Sequence, residues 1–152
     1  MKSLGFCAVI SALLLATTAC QSDTTPTATT PAPTVPETLS GTVPAPVAGV
    51  AQSSFVSFNS AGAGTGSVTL TSAVETLSNN TQNPAAIVGL QLGIPGGGGC
   101  TLASGGTPLL VQASPSPLSA PFVAGANCIV VTSGNQSATA GPVSYTLVVV
   151  HF

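Results

Sequence analysis

In this 152-residue chain six side chains carry the chemistry to weigh first: the thiols of Cys20, Cys100 and Cys128, the carboxylate of Glu75, the imidazole of His151 and the phenol of Tyr145. Acid–base catalysis by paired carboxylates needs two acids, and the C-terminal two-thirds of the chain offers only Glu75. A Ser-His-acid triad would have to bring His151, next to the last residue, to Glu75 and a serine with no GxSxG elbow to present it. The expectation is therefore a chain with no catalytic residues, in which His151 sits on a strand edge. One imidazole and two thiols fall short of the four ligands of a zinc site, and a single carboxylate makes a weak calcium site, so no metal and no cofactor are expected. Gly62, Gly64 and Gly66 in GAGTG, and the run 96–99, look superficially like phosphate loops. Neither is followed by Lys or by a helical pattern, and both read as turns between strands. The sequons at Asn79 and Asn135 would be used only in a eukaryotic secretory pathway.

Charge narrows the function further. Lys and Arg together number one, Lys2, and charged residues make up 3% of the chain, against roughly a quarter in ordinary soluble proteins. Once a leader containing Lys2 is removed, no Lys or Arg is left to displace counterions from phosphates, so no nucleic-acid partner is expected. The same lack removes the usual grip on anionic lipid headgroups.

The leader is legible in the first 19 residues. Lys2 supplies a positive start and residues 6–16 (FCAVISALLLA) an apolar run, followed by small residues up to Cys20. Such a run suits a signal peptide and is too short to span a bilayer, which takes ~20 residues. The segment ATTAC resembles the lipobox of bacterial lipoproteins, which implies that Cys20 is acylated and becomes the new N-terminus. Thr17 stands where that motif prefers an aliphatic residue, and ordinary cleavage after Ala19, leaving Cys20 as a thiol, stays open. Gln21 and Ser22 lack the Asp that retains some lipoproteins in an inner membrane. The expected location is the cell envelope, held to the membrane by the lipid, in the outer membrane if the source is Gram-negative and secreted otherwise.

Residues 20–40 repeat Thr, Pro and Ala with almost nothing apolar to bury, and read as a disordered, extended tether. Two acids, Asp23 and Glu37, fall within it. Residues 41–152 then switch to short apolar or alternating runs punctuated by Gly, Pro, Ser and Asn, the pattern of an all-β fold. Strands are expected near 53–59, 67–72, 86–92, 109–112, 121–123, 128–132 and 143–151, with at most one helical turn at 73–79. In SVTLTS, Val68 and Leu70 should be buried and Thr69 and Thr71 exposed. The last strand is apolar on both faces towards its end, so it should lie centrally or be covered. Cys100 and Cys128 form an even pair in an exported domain, which predicts a disulfide.

Three segments, SGTVPAPVAGVAQSSFVSFNSAGAGTGSVTLTSA, GANCIVVTSGN and GPVSYTLVVV, resemble in their order the bacterial pre-peptidase C-terminal (PPC) domain and its short lipoprotein relatives. The resemblance implies a small jelly-roll-like β-sandwich of about seven to eight strands over most of residues 41–152. Cys128 stands where that family commonly has Tyr, and the acids that bind calcium in some relatives have no counterparts, so their calcium site is not carried over. The expectation is an exported, lipid-anchored envelope protein whose non-catalytic sandwich serves structure or protein contacts. The alternative is a binding module for polysaccharide or another cell-surface polymer, so the expected partners are the membrane through the lipid, and an envelope protein or glycan.

Overall fold

The computed structural model describes residues 33–103, 107–135, 137 and 139–152. The leader, Cys20 and the first part of the expected tether lie outside them. The described chain is all-β, and among the described residues there is no helix. Ten strands follow in order: β1 (Val35–Val43), β2 (Ser53–Ser60), β3 (Gly64–Thr76), β4 (Gln82–Asn83), β5 (Val88–Gly96), β6 (Gly99–Leu102), β7 (Leu109–Val111), β8 (Leu118–Phe122), β9 (Gly125–Ser133) and β10 (Val143–His151).

They form two antiparallel five-stranded sheets. One runs β1-β10-β3, with β8 and β4 both paired to β3; the other runs β2-β9-β5, with β6 and β7 both paired to β5. Setting aside the two-residue β4 and counting β6 and β7 as one broken edge, the sheets run β1-β10-β3-β8 and β2-β9-β5-β6/β7, the jelly-roll order, in which consecutive strands change sheet except from β5 to β6. The expected sandwich is thus the observed one, with ten strands in place of seven or eight.

Alternation explains which face each strand buries. Val68, Leu70, Ile129, Val131, Leu147 and Val149 point between the sheets and make the core, while Thr71 is exposed and Thr69 partly so. β10 is flanked by β1 and β3, which is why its outward positions can also be valines. The glycines at 96–99 serve a tight β5–β6 hairpin, with Gly97 and Gly98 at φ of 60° and 83°, as a primed turn requires. GAGTG meets the turn reading only in part: Gly62 lies in the β2–β3 connection. Gly64 and Gly66 lie in β3, and a Cβ on either would collide with the ring of Phe152 or Phe122 respectively.

Two expectations need correction. The boundary at residues 40/41 falls inside β1, which begins at Val35 and pairs with β10 from Val35↔His151 to Val43↔Val143. Pro36 made this segment look like spacer, but β1 is an edge strand, where a missing N–H is tolerated. Glu37, Leu39, Gly41 and Val43 are its inward positions. The one helical turn expected at 73–79 is instead the last four residues of the 13-residue β3, followed by the turn that leads to β4.

Candidate functional site

Glu75 is only 1% exposed, and a β-bulge puts it there. Leu147 pairs with Leu70 but Thr146 pairs with Ser72, so Thr71 is an extra residue and the side-chain phase of β3 slips by one. Beyond the slip Ala73 and Glu75 face inward. The carboxylate accepts hydrogen bonds from Asn135 Nδ2 at 2.9 and 3.2 Å, from the Gly141 amide at 3.3 Å and from Asn83 Nδ2 at 3.4 Å. A buried carboxylate without a cation is tolerable only with such donors. The amide oxygens of Asn83 and Asn135 turn away to accept the backbone N–H of Ala85 and Ser137. The group is thus arranged to hold a carboxylate between the β3–β4 and β9–β10 connections. Among the described residues no three His, Cys, Asp or Glu side chains converge as metal ligands would.

His151 lies at the other end of β10 from Glu75, which faces Val143 in the ladder. Eight residues of strand at ~3.4 Å each separate them by roughly 27 Å. No serine can join this acid and this imidazole in a triad. His151 is not on a strand edge as expected, because β10 is an interior strand; it is 6% exposed and its ring lies 5.2 Å from that of Phe58. Its Nε2 is 3.3 Å from Glu37 Oε2, so an acid assigned to the tether belongs to the domain and faces the imidazole.

Tyr145 is also interior. Its ring covers Gly41, where a Cβ would lie 2.7 Å from the ring carbon bearing the hydroxyl, and its hydroxyl shares a 3.1 Å hydrogen bond with Ser54 on the opposite sheet. Burial pushes the phenol above its ordinary value near 10, and the bond to Ser54 offsets part of that.

Cys100 and Cys128 form the predicted disulfide, with Cα atoms 6.0 Å apart. Cys128 pairs with Gly93 and Cys100 with Pro95, so the bridge passes across β5 and joins its two neighbours on the outer face. Gly93 makes room for it: a Cβ there would collide with the Thr101 carbonyl and lie 2.8 Å from Cys100 Sγ.

An open cleft of about 300 Å³ lies between the sheets, on the side away from β1 and β2. Its floor is Val68, Leu90 and Ile129; Leu92 and Leu118 form walls, and Leu102 and Leu109 stand at the mouth. Among the described residues no charged or aromatic side chain lines it. Neither the cleft nor the Glu37–His151 pair was found from the sequence. The alternation of Glu37 with Leu39 and Val43 was a usable signal for the pair, whereas the cleft is lined by residues from both sheets, spread from Val68 to Ile129, and has no local pattern.

No protein-family model matches the chain, and no curated protein or solved structure is found to be similar to it.

Proposed function

We propose that this chain is an exported, lipid-anchored envelope protein that displays a non-catalytic jelly-roll sandwich in a structural or protein-contact role. The observation carrying the non-catalytic reading is that Glu75 lies far from His151 along β10 and that the buried imidazole meets Glu37 and the Phe152 carbonyl, with no serine hydroxyl of the described residues among its hydrogen-bond partners. The sequence from the leader to Cys20 supports the anchor, and β1 then receives the chain 15 residues later as the first strand of the domain. The three motif segments suggest kinship with PPC-like lipoproteins, for which a jelly-roll-like sandwich is expected.

Intact-mass measurement of the detergent-extracted protein tests the anchor: the first residue is expected to be an acylated Cys20, and an unmodified N-terminus would overturn it. Crosslinking in intact cells is expected to capture an envelope protein. A hydrolase activity in the purified protein, lost on His151→Ala with the fold retained, would defeat the non-catalytic reading.

A second reading is favoured by the outer face of the β1-β10-β3 sheet. Neighbouring strands there align Ser40 with Thr146 and Ser72, and Thr38 with Val148 and Thr69. This neutral hydroxyl array suits a polysaccharide or similar polymer. It lacks the aromatic platform that sugars commonly stack on, since Tyr145 is interior. Binding in a panel of envelope polymers, abolished by Thr146→Lys, would establish this reading; no binding across the panel would remove it.

A further inference from the structure

We propose that the cleft between β8 and the β5–β7 edge binds a single aliphatic acyl chain from an uncharged lipid of the monoacylglycerol type, with the chain inserted and the head at the mouth. This inference does not depend on the lipid anchor at Cys20.

The chemistry of the lining selects the ligand. Val68, Leu90 and Ile129 close the floor, and all are buried core residues. An inserted group meets mostly aliphatic carbon, with Gln91, Thr107 and Ser119 as the polar side chains of the lining and none of them ionised, so a charge carried into the cleft would lose its hydration and gain no counter-charge. A flat ring system or sugar would find no aromatic face to stack on. A flexible hydrocarbon needs neither, and it gains from every methylene removed from water. A cavity of about 300 Å³ has room for roughly ten groups of water size, at ~30 Å³ each, which corresponds to a chain of about ten carbons.

The mouth sets the head group. Leu102 and Leu109 are 40% and 52% exposed, and an emerging chain would cover them. Thr107 and Ser119 also border the cleft and offer hydroxyls to an ester or glycerol head. No Lys or Arg occurs anywhere after Lys2, so a carboxylate or phosphate head would find no counter-charge. The site therefore favours a neutral ester over the corresponding fatty-acid anion.

The test uses the full chain carrying Cys20→Ser, which has no acyl group of its own to fill the cleft. Titration calorimetry with monodecanoin below its micelle concentration is expected to show one saturable site. Affinity should rise about fourfold per added methylene across shorter homologues and stop rising once the chain fills the cleft. Decanoate at neutral pH should bind at least tenfold more weakly. Leu109→Asp and Ala103→Trp alter exposed positions at the mouth, so the fold should survive while affinity falls at least tenfold. Val47→Asp, on an exposed hairpin tip distant in sequence and outside the lining, should leave binding unchanged. Absence of a saturable site, affinity independent of chain length, or equal binding by the Leu109→Asp and Ala103→Trp variants would overturn the proposal. Tighter binding of decanoate than of monodecanoin would overturn the assignment of a neutral head.

Discussion

Asn135 donates through its side-chain amide to both oxygens of Glu75, 60 residues away in sequence, and so fastens the β9–β10 connection onto the end of β3. Asn135→Ala leaves the buried carboxylate with two donor groups, Asn83 and Gly141. A loss of about 1–3 kcal/mol is expected, read from urea unfolding. Asn135→Asp should cost more at neutral pH, because it sets a second carboxylate against the first. An Asn135→Asp protein no less stable than Asn135→Ala would show that repulsion is not the cause.

The disulfide should matter on a similar scale. Cys100 and Cys128 are 28 residues apart, and closing a loop of that size in the unfolded chain stabilises the fold by about 3.5 kcal/mol in the chain-entropy model. Denatured protein should show no thiol at either position until reductant is added, and the unfolding midpoint should fall on reduction. Equal thiol titres with and without reductant would contradict the bridge. Gly93→Ala should destabilise the oxidised protein by about 1–3 kcal/mol, since the Thr101 carbonyl and the disulfide leave a Cβ no room.

The residues that misled sequence reading did so for identifiable physical reasons. Alternation in SVTLTS correctly placed Val68 and Leu70 inside, because that stretch precedes the bulge. The bulge at Thr71 has no sequence mark, and it alone turns Glu75 from the solvent face to the core. Without that extra residue, the alternation set by Val68 and Leu70 would point Glu75 to solvent. Pro36 and Glu37 made the start of β1 resemble the tether, although both suit an edge strand for the reason that they discourage further pairing. The disulfide was legible because export and an even pair of cysteines were enough to predict it. The cleft was not, because it depends on the separation of strands far apart in the chain. A strand as short as β4 also carries too few residues for alternation to show, whereas β7 falls within the strand expected at 109–112.

At the start of β1, the ion-pair geometry between His151 and Glu37 invites an electrostatic explanation, but burial argues for packing. The histidine side chain is 7% exposed and the glutamate 41%. An exposed partner contributes at most about 1 kcal/mol to such a pair, whereas removing the imidazole opens a cavity beside Phe58. His151→Ala should therefore cost about 2–4 kcal/mol and Glu37→Ala less than about 1 kcal/mol. Both follow from chemical denaturation at neutral pH. Equal losses would mean that the pair, and not the ring contact, secures β1.

Tyr145 allows a cleaner test, because it is the only tyrosine in the chain and its ionisation can be followed directly by ultraviolet absorbance. Burial raises its folded-state value above the ordinary value near 10, so the folded protein holds the neutral phenol more tightly than the unfolded chain does. The associated stability is complete below pH ~10 and is lost as pH rises through the folded value. Absorbance titration should thus give a midpoint above 10 in the folded protein and near 10 in denaturant. Tyr145→Phe removes the ionisable group and the bond to Ser54. It should lower stability at neutral pH by about 1 kcal/mol while abolishing this alkaline loss. A folded-state midpoint at the ordinary value would mean that the ring does not remain over Gly41 in solution.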